Sequence, residues 1–257
     1  MANYDLQRSI PALERSLALF RPHHLELRRR LVKVMLAIVV STAVAYSFAE
    51  KIAALLIAPL FAASPLVYRL VYTHLPEAFM AYIKLAFLVG LIASMPVALY
   101  QLWIFVAPGL KKNEKLLAVT VVFWAMFLFT GGACFAFFVV LPKMLMYFMS
   151  YANENLEPLP KLSLYLTFIA RTILAFGISF QIPFLMVMAG KANFVQPSYF
   201  RRKRTYFYLA IIVLSFLLTA GDFTATALLA IPLFLLYEAG IFLAALFNRK
   251  KVNQSPA

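Results

Sequence analysis

A chain of 257 residues that is 64% apolar by residue type, 13% charged and of mean hydropathy +0.85 is excluded from the ordinary water-soluble class. It reads as a polytopic membrane protein. The net charge of +14 suggests nucleic acid only until its distribution is read. Seven Lys and Arg precede the first apolar stretch, three fall in 105–116, five in 191–204 and three after the last stretch. The alternate loops hold only Arg69, Lys143 and Lys161. This bias predicts cytoplasmic termini and basic loops facing membrane lipids, with no nucleic-acid partner.

Six apolar stretches, at about 34–53, 79–104, 117–140, 163–190, 205–219 and 224–247, are each long enough for a helix. None shows the ten-residue alternation of a membrane barrel. The expected fold is all-α and integral to the membrane, with six transmembrane helices, both termini cytoplasmic and the last two spans short. Residues 1–22 read as an N-terminal cytoplasmic tail, 23–248 as the six-helix membrane domain and 249–257 as a C-terminal cytoplasmic tail. The single cysteine, Cys134, excludes a disulfide framework and a thiolate metal site. The apolar patch Leu17–Phe20 is too short for a cleavable signal, and Arg21-Pro22 follows it.

Residues 23–31, HHLELRRRL, read as an amphipathic helix with arginines at headgroup level. Glu26 stands four residues before Arg30, a pairing worth about 0.2–0.5 kcal/mol on a helix. The segment 54–78, with Pro59, Pro65 and Pro76, is expected to pack as short amphipathic helices on the outer surface. Pro96 predicts a bend in the second span. After it come Gln101-Leu102-Trp103, a Pro108-Gly109 break and the turn Lys111, Lys112, Asn113, Glu114, Lys115. An interfacial Trp followed by lysines marks a cytoplasmic turn, and Glu114 is the one carboxylate inside it.

Gly131-Gly132 in the third span allows close helix approach. In the fourth, Gln181 needs a partner at membrane depth. It faces the interior or a wet cavity, or it bonds the carbonyl freed by Pro183. Arg171, ten residues earlier, has two readings. It sits at the outer boundary with its guanidinium snorkelling to headgroups, or it pairs with Glu77. Arg201-Arg202-Lys203-Arg204 read as a basic anchor. Arg204 to Thr219 and Phe223 to Glu238 would each cover roughly 22 Å, short of the ~30 Å hydrocarbon core.

Four of these stretches resemble the TatC family, the receptor subunit of the twin-arginine protein translocase. The first carries His23, Glu26, Leu27, Arg28, Arg30 and Leu31, with His24 where the family has Leu. The second is Tyr100-Gln101-x-Trp103-x-Phe105-x-x-Pro108-Gly109-Leu110 with Glu114. Phe176-Gly177-x-x-Phe180-Gln181-x-Pro183 is the third. The last comprises Thr219-x-x-Asp222, Pro232 and Leu236-Tyr237-Glu238. Departures stand at Gln181, commonly Glu, at Ala220, usually Pro, and at Thr226, usually Gln.

The resemblance implies a receptor and scaffold, not an enzyme, that exports folded proteins across the cytoplasmic membrane on the proton gradient. It implies no cofactor, and no GxxxxGK[ST] nucleotide loop is present. The implied signal-peptide site comprises Glu26, Glu114, Leu25, Arg28, Phe105 and Pro108. Gln181, Thr219, Asp222 and Thr226 are the implied intramembrane partner contacts, and Pro59, Pro96, Pro183 and Glu238 are read as structural. Implied partners are twin-arginine signal peptides, small single-span TatA/TatB-type subunits and other copies of the chain. A small-solute transporter would need broken helices in two matching inverted halves, and no half-to-half similarity surrounds Pro96 and Pro183. A hydrolase would need a nucleophile with a base, and Cys134 has none nearby in sequence.

Overall fold

The computed structural model describes residues 26–63, 67, 69–106, 115–152, 158–191, 195, 197–219 and 221–252. Their architecture is all-helical. In chain order the helices are α1 Glu26–Ser47, α2 Ala49–Ala63, α3 Leu75–Val106, α4 Lys115–Phe135, α5 Leu141–Met149, α6 Leu162–Ser179, α7 Gln181–Lys191, α8 Pro197–Arg202, α9 Arg204–Leu218 and α10 Phe223–Val252. A π-helical turn, Ala136–Val140, joins α4 to α5. Five stretches are long and apolar enough to cross a membrane: Glu26–Ser47, Leu75–Ile104, Thr120–Met149, Leu162–Gly190 and Phe223–Leu246. α9 is apolar but has only 15 residues.

Three boundaries differ from the sequence expectation, each for a local reason. The first span ends at Ser47 because the chain turns at Phe48, whose N–H donates to Ala45 at 3.1 Å. A second helix, α2, then restarts and runs unbroken through Pro59. The third span continues past residue 140 to Met149. Pro142 has no N–H to give, and the wide π turn before it accommodates the lost bond without ending the helix.

The last span is not short. Its apolar part runs through 24 residues, about 36 Å, because Glu238 is satisfied by α9 side chains and does not stop it. The shortness belongs to α9 alone.

α3 is likewise continuous through Pro96, and a notch of about 250 Å³ opens there between α3 and α4. The fourth span does break, at Phe180, three residues before Pro183.

Lipid tails are as apolar as leucine, so close packing has to hold the helices together. Gly132 lies against α6, where an added Cβ would stand 2.8 Å from the Phe176 carbonyl oxygen. Its neighbour Gly131 faces open space. Gly90 meets the Thr42 backbone and so lets α3 cross α1, the least buried span.

Two apolar clusters result. One joins α2, α3, α5 and α6 around Leu60, Leu85, Leu141 and Leu166. The other joins α6, α7, α9 and α10 around Phe176, Leu229 and Tyr237. Just ahead of α3 and α6, Val71 and Lys161 form a parallel bridge that starts both helices from the same end.

Candidate functional site

The first turns of α1 bring Glu26 and Arg30 onto one helix face, and they form an ion pair. Arg30 also donates from Nη1 to the Gln101 carbonyl of α3 at 3.3 Å. Its side chain is 13% exposed, whereas that of Glu26 is 44% exposed. One guanidinium therefore ties α1 to α3 and holds a carboxylate at the surface near the last turns of α3. Arg28, two residues on from Glu26, is exposed. Trp103, on the last turns of α3, buries its indole N–H with no acceptor among the described residues.

Gln181 opens α7 and is 6% exposed. Its amide nitrogen donates to the Ala125 carbonyl of α4 at 2.9 Å. The oxygen at the other end is buried without a donor among the described residues. The bond crosses between helices, so the reading in which Gln181 serves the carbonyl freed by Pro183 does not hold.

The α9–α10 turn forms a third polar assembly. Gly221 takes φ 91°, a conformation natural to glycine, and its N–H closes α9 on Phe216 at 3.1 Å. Asp222 caps α10, accepting at Oδ1 from Ala225 N–H at 2.6 Å. Thr219 donates to the Ser215 carbonyl at 3.0 Å, and its hydroxyl meets that of Thr226 at 2.7 Å. Both threonines are buried, and Ser215 buries a hydroxyl with no partner among the described residues. At the other end of α9, Arg204 donates to Glu238 at 2.8 Å and Tyr208 donates to the same carboxylate. α9 is thus clamped to α10 at both ends.

Residues 22–232 match the profile of the Sec-independent protein translocase protein (TatC) family. The chain belongs to the TatC family.

It is 35% identical over 232 residues to the Sec-independent protein translocase protein TatC of Desulforapulum autotrophicum, covering 90% of this chain and 86% of that protein. Against the same-named protein of Escherichia coli K12 it is again 35% identical over 232 residues, covering 90% of each. A crystal structure of the twin-arginine translocase receptor TatC superposes with TM-score 0.81 at 33% identity, covering 88% of this chain and all of that one. TatC proteins are translocase components of the membrane and not enzymes, in accord with the sequence reading.

The residues expected from the TatC resemblance divide by place. Glu26 and Arg28 lie together at the start of α1. Phe105 is in the last turn of α3, with its side chain outside the described residues, and Leu25, Pro108 and Glu114 lie outside them altogether. Thr219, Asp222 and Thr226 come together at the turn, but Gln181 does not join them. Gly240 packs against Pro183, which puts Gln181 roughly 20 Å along α10 from Thr226. The polar groups expected to act together in this TatC chain therefore form two separate clusters.

Arg171 is exposed, and no ion pair joins it to Glu77. That carboxylate accepts instead from the Thr73 N–H at 2.7 Å and hydroxyl at 3.0 Å.

Sequence reasoning missed three groups: the Trp103 N–H, the Ser215 hydroxyl and Tyr208 as a second donor to Glu238. The i,i+4 spacing of Arg204 and Tyr208 was the available signal for the last.

Proposed function

We propose that this chain is the signal-peptide receptor and scaffold of a twin-arginine translocase. Its clients are folded proteins carrying paired arginines, which cross the cytoplasmic membrane on the proton gradient. The observation that carries this reading is the part-exposed Glu26 carboxylate, anchored through Arg30 to the Gln101 carbonyl on the last turns of α3. A client guanidinium competes with Arg30 for that carboxylate in fork geometry, and Glu114 supplies the second. Leu25 and Phe105 add apolar contact, Pro108 shapes the turn, and Arg28 contacts the signal backbone or headgroups. Exposed pairs give only ~0–1 kcal/mol each, so desolvation by these neighbours is what raises affinity to the several kcal/mol that selection requires.

In this topology the chain spans six times with both termini and the basic loops in the cytoplasm. The charge bias of the loops supports it. Single-span TatA/TatB-type subunits and further copies assemble on the chain, contacting Gln181 on one side and the Thr219–Asp222–Thr226 turn on the other. The Gln181 oxygen and the Ser215 hydroxyl support these contacts, since each is buried without a partner among the described residues.

Site-specific photocrosslinking tests the receptor reading. Probes at 26 and 114 are expected to capture a twin-arginine signal peptide and not its Lys-Lys counterpart. Equal capture of both peptides would refute it.

A further inference from the structure

A cavity of about 360 Å³ lies where α1 ends and α2 begins, lined by Tyr46, Ser47, Phe48, Glu50, Lys51 and, from α3, Tyr82. We infer that this cavity is a headgroup site for an aminophospholipid, binding phosphatidylethanolamine with Lys51 on the phosphate and Glu50 on the ammonium.

Its depth follows from α1. That helix has 22 residues, about 33 Å, close to the ~30 Å hydrocarbon core. With Glu26, Arg28 and Arg30 at one boundary, Tyr46 and Ser47 fall at the other. Helix length alone sets this depth, whichever end of α1 faces the cytoplasm. Tyrosines from two helices at this level fit the interfacial belt, where a ring buries its body and wets its hydroxyl. Lys84, two residues along α3 from Tyr82, is exposed.

The charges of the cavity are unspent. Glu50 and Lys51 are both exposed, and no ion pair joins either to another described residue. Neighbours on a helix do not face each other and so do not pair, yet both line the cavity and present opposite charges to it. The Lys51 ammonium stands 5.9 Å from the centre of the Phe48 ring, a loose contact. Ser47 already donates to the Ala43 carbonyl at 3.3 Å, which leaves its oxygen as an acceptor.

A phosphodiester carries one negative charge, and ethanolamine adds a positive one with three N–H donors. The zwitterion matches a carboxylate and an ammonium presented together. Phosphatidylglycerol satisfies only Lys51. Phosphatidylcholine brings the positive charge without donors, so Glu50 and the tyrosine oxygens gain no hydrogen bond from it. The cavity volume falls within the range of small-ligand sites, enough for a headgroup with its acyl chains left along α1 and α3.

Native mass spectrometry of the full chain, released from micelles holding equal phosphatidylethanolamine, phosphatidylglycerol and phosphatidylcholine, tests the site. Phosphatidylethanolamine should dominate the retained adducts. Glu50→Gln should lower its retention about fivefold while leaving phosphatidylglycerol unchanged, and Lys51→Gln should lower both about fivefold. Glu50→Asp, which keeps the charge, should restore most of the preference and so guards against mere misfolding. Equal retention of the three lipids by the wild type would overturn the proposal. So would an unchanged phosphatidylethanolamine adduct in the Glu50→Gln, Lys51→Gln double variant.

Discussion

Glu26 has two claims on it, one from Arg30 and one from a client arginine. The Arg30 pair was legible, because four-residue spacing on a helix puts the two groups on one face. The tie from Arg30 to Gln101 was not, since those residues are 71 apart in sequence. It changes what Glu26→Lys does. A lysine there places a like charge against the mostly covered Arg30 and loosens the α1–α3 joint as well as losing the ligand. Glu26→Gln is the cleaner change and is expected to weaken signal-peptide binding roughly fivefold, about 1 kcal/mol. Isothermal titration with the purified chain would measure it.

Gln181 makes a second residue-scale prediction. Its oxygen has no donor among the described residues, so Gln181→Leu removes an unsatisfied group together with one hydrogen bond. The net change in stability should stay within about 1 kcal/mol. Loss of single-span partner association at unchanged melting temperature would then assign the residue to assembly. Gln181→Glu should be tolerated as the protonated acid, since a carboxylate has no donor for the Ala125 carbonyl. The helix facing Gln181 could not be read from sequence, because Ala125 lies 56 residues away and carries no polar side chain.

At the scale of elements, composition and periodicity identified the helices but not their phases. Gly131 and Gly132 were indistinguishable as letters, yet one faces open space and the other abuts the α6 backbone. Gly132→Ala is therefore expected to cost about 1–3 kcal/mol through overpacking. Gly131→Ala should be neutral or stabilise by up to ~1 kcal/mol through helix propensity. Thermal unfolding of the two variants in one detergent would separate them.

Glu238 misled the sequence reading of α10, because a charge in an apolar run looks like an end. Here it is a clamp, taken by Arg204 and Tyr208. The opposite clamp, Thr219 on Thr226, fixes the length of α9 between them. Inserting four apolar residues into α9, about 6 Å, must break one of the two. We expect export to fall while signal-peptide binding is unchanged, since α9 contributes nothing to the Glu26 region. Assays of client export in cells and of peptide binding in detergent would show it. Unimpaired export would mean that the short helix has no role in translocation.

Across the described residues, the polar groups that the proposed function uses fall at three stations on an apolar frame. One is at the start of α1, one at the α6–α7 break and one at the α9–α10 turn. Their separation suits a scaffold that holds a client signal at one boundary and partner helices deeper in the bilayer. The order of spans and the family motifs were legible because they lie in local sequence. The joints between stations were not, because they depend on how glycines and a parallel bridge set the register of distant helices.

The central claim is that paired client arginines are recognised by carboxylates in otherwise basic segments. A titration of the full-length chain in lipid nanodiscs with a twin-arginine signal peptide, and with its twin-lysine counterpart, tests it directly. The wild type should bind the arginine form at least tenfold more tightly, and the Glu26→Gln, Glu114→Gln double variant should erase that preference. A double variant that keeps the wild-type preference would contradict the account.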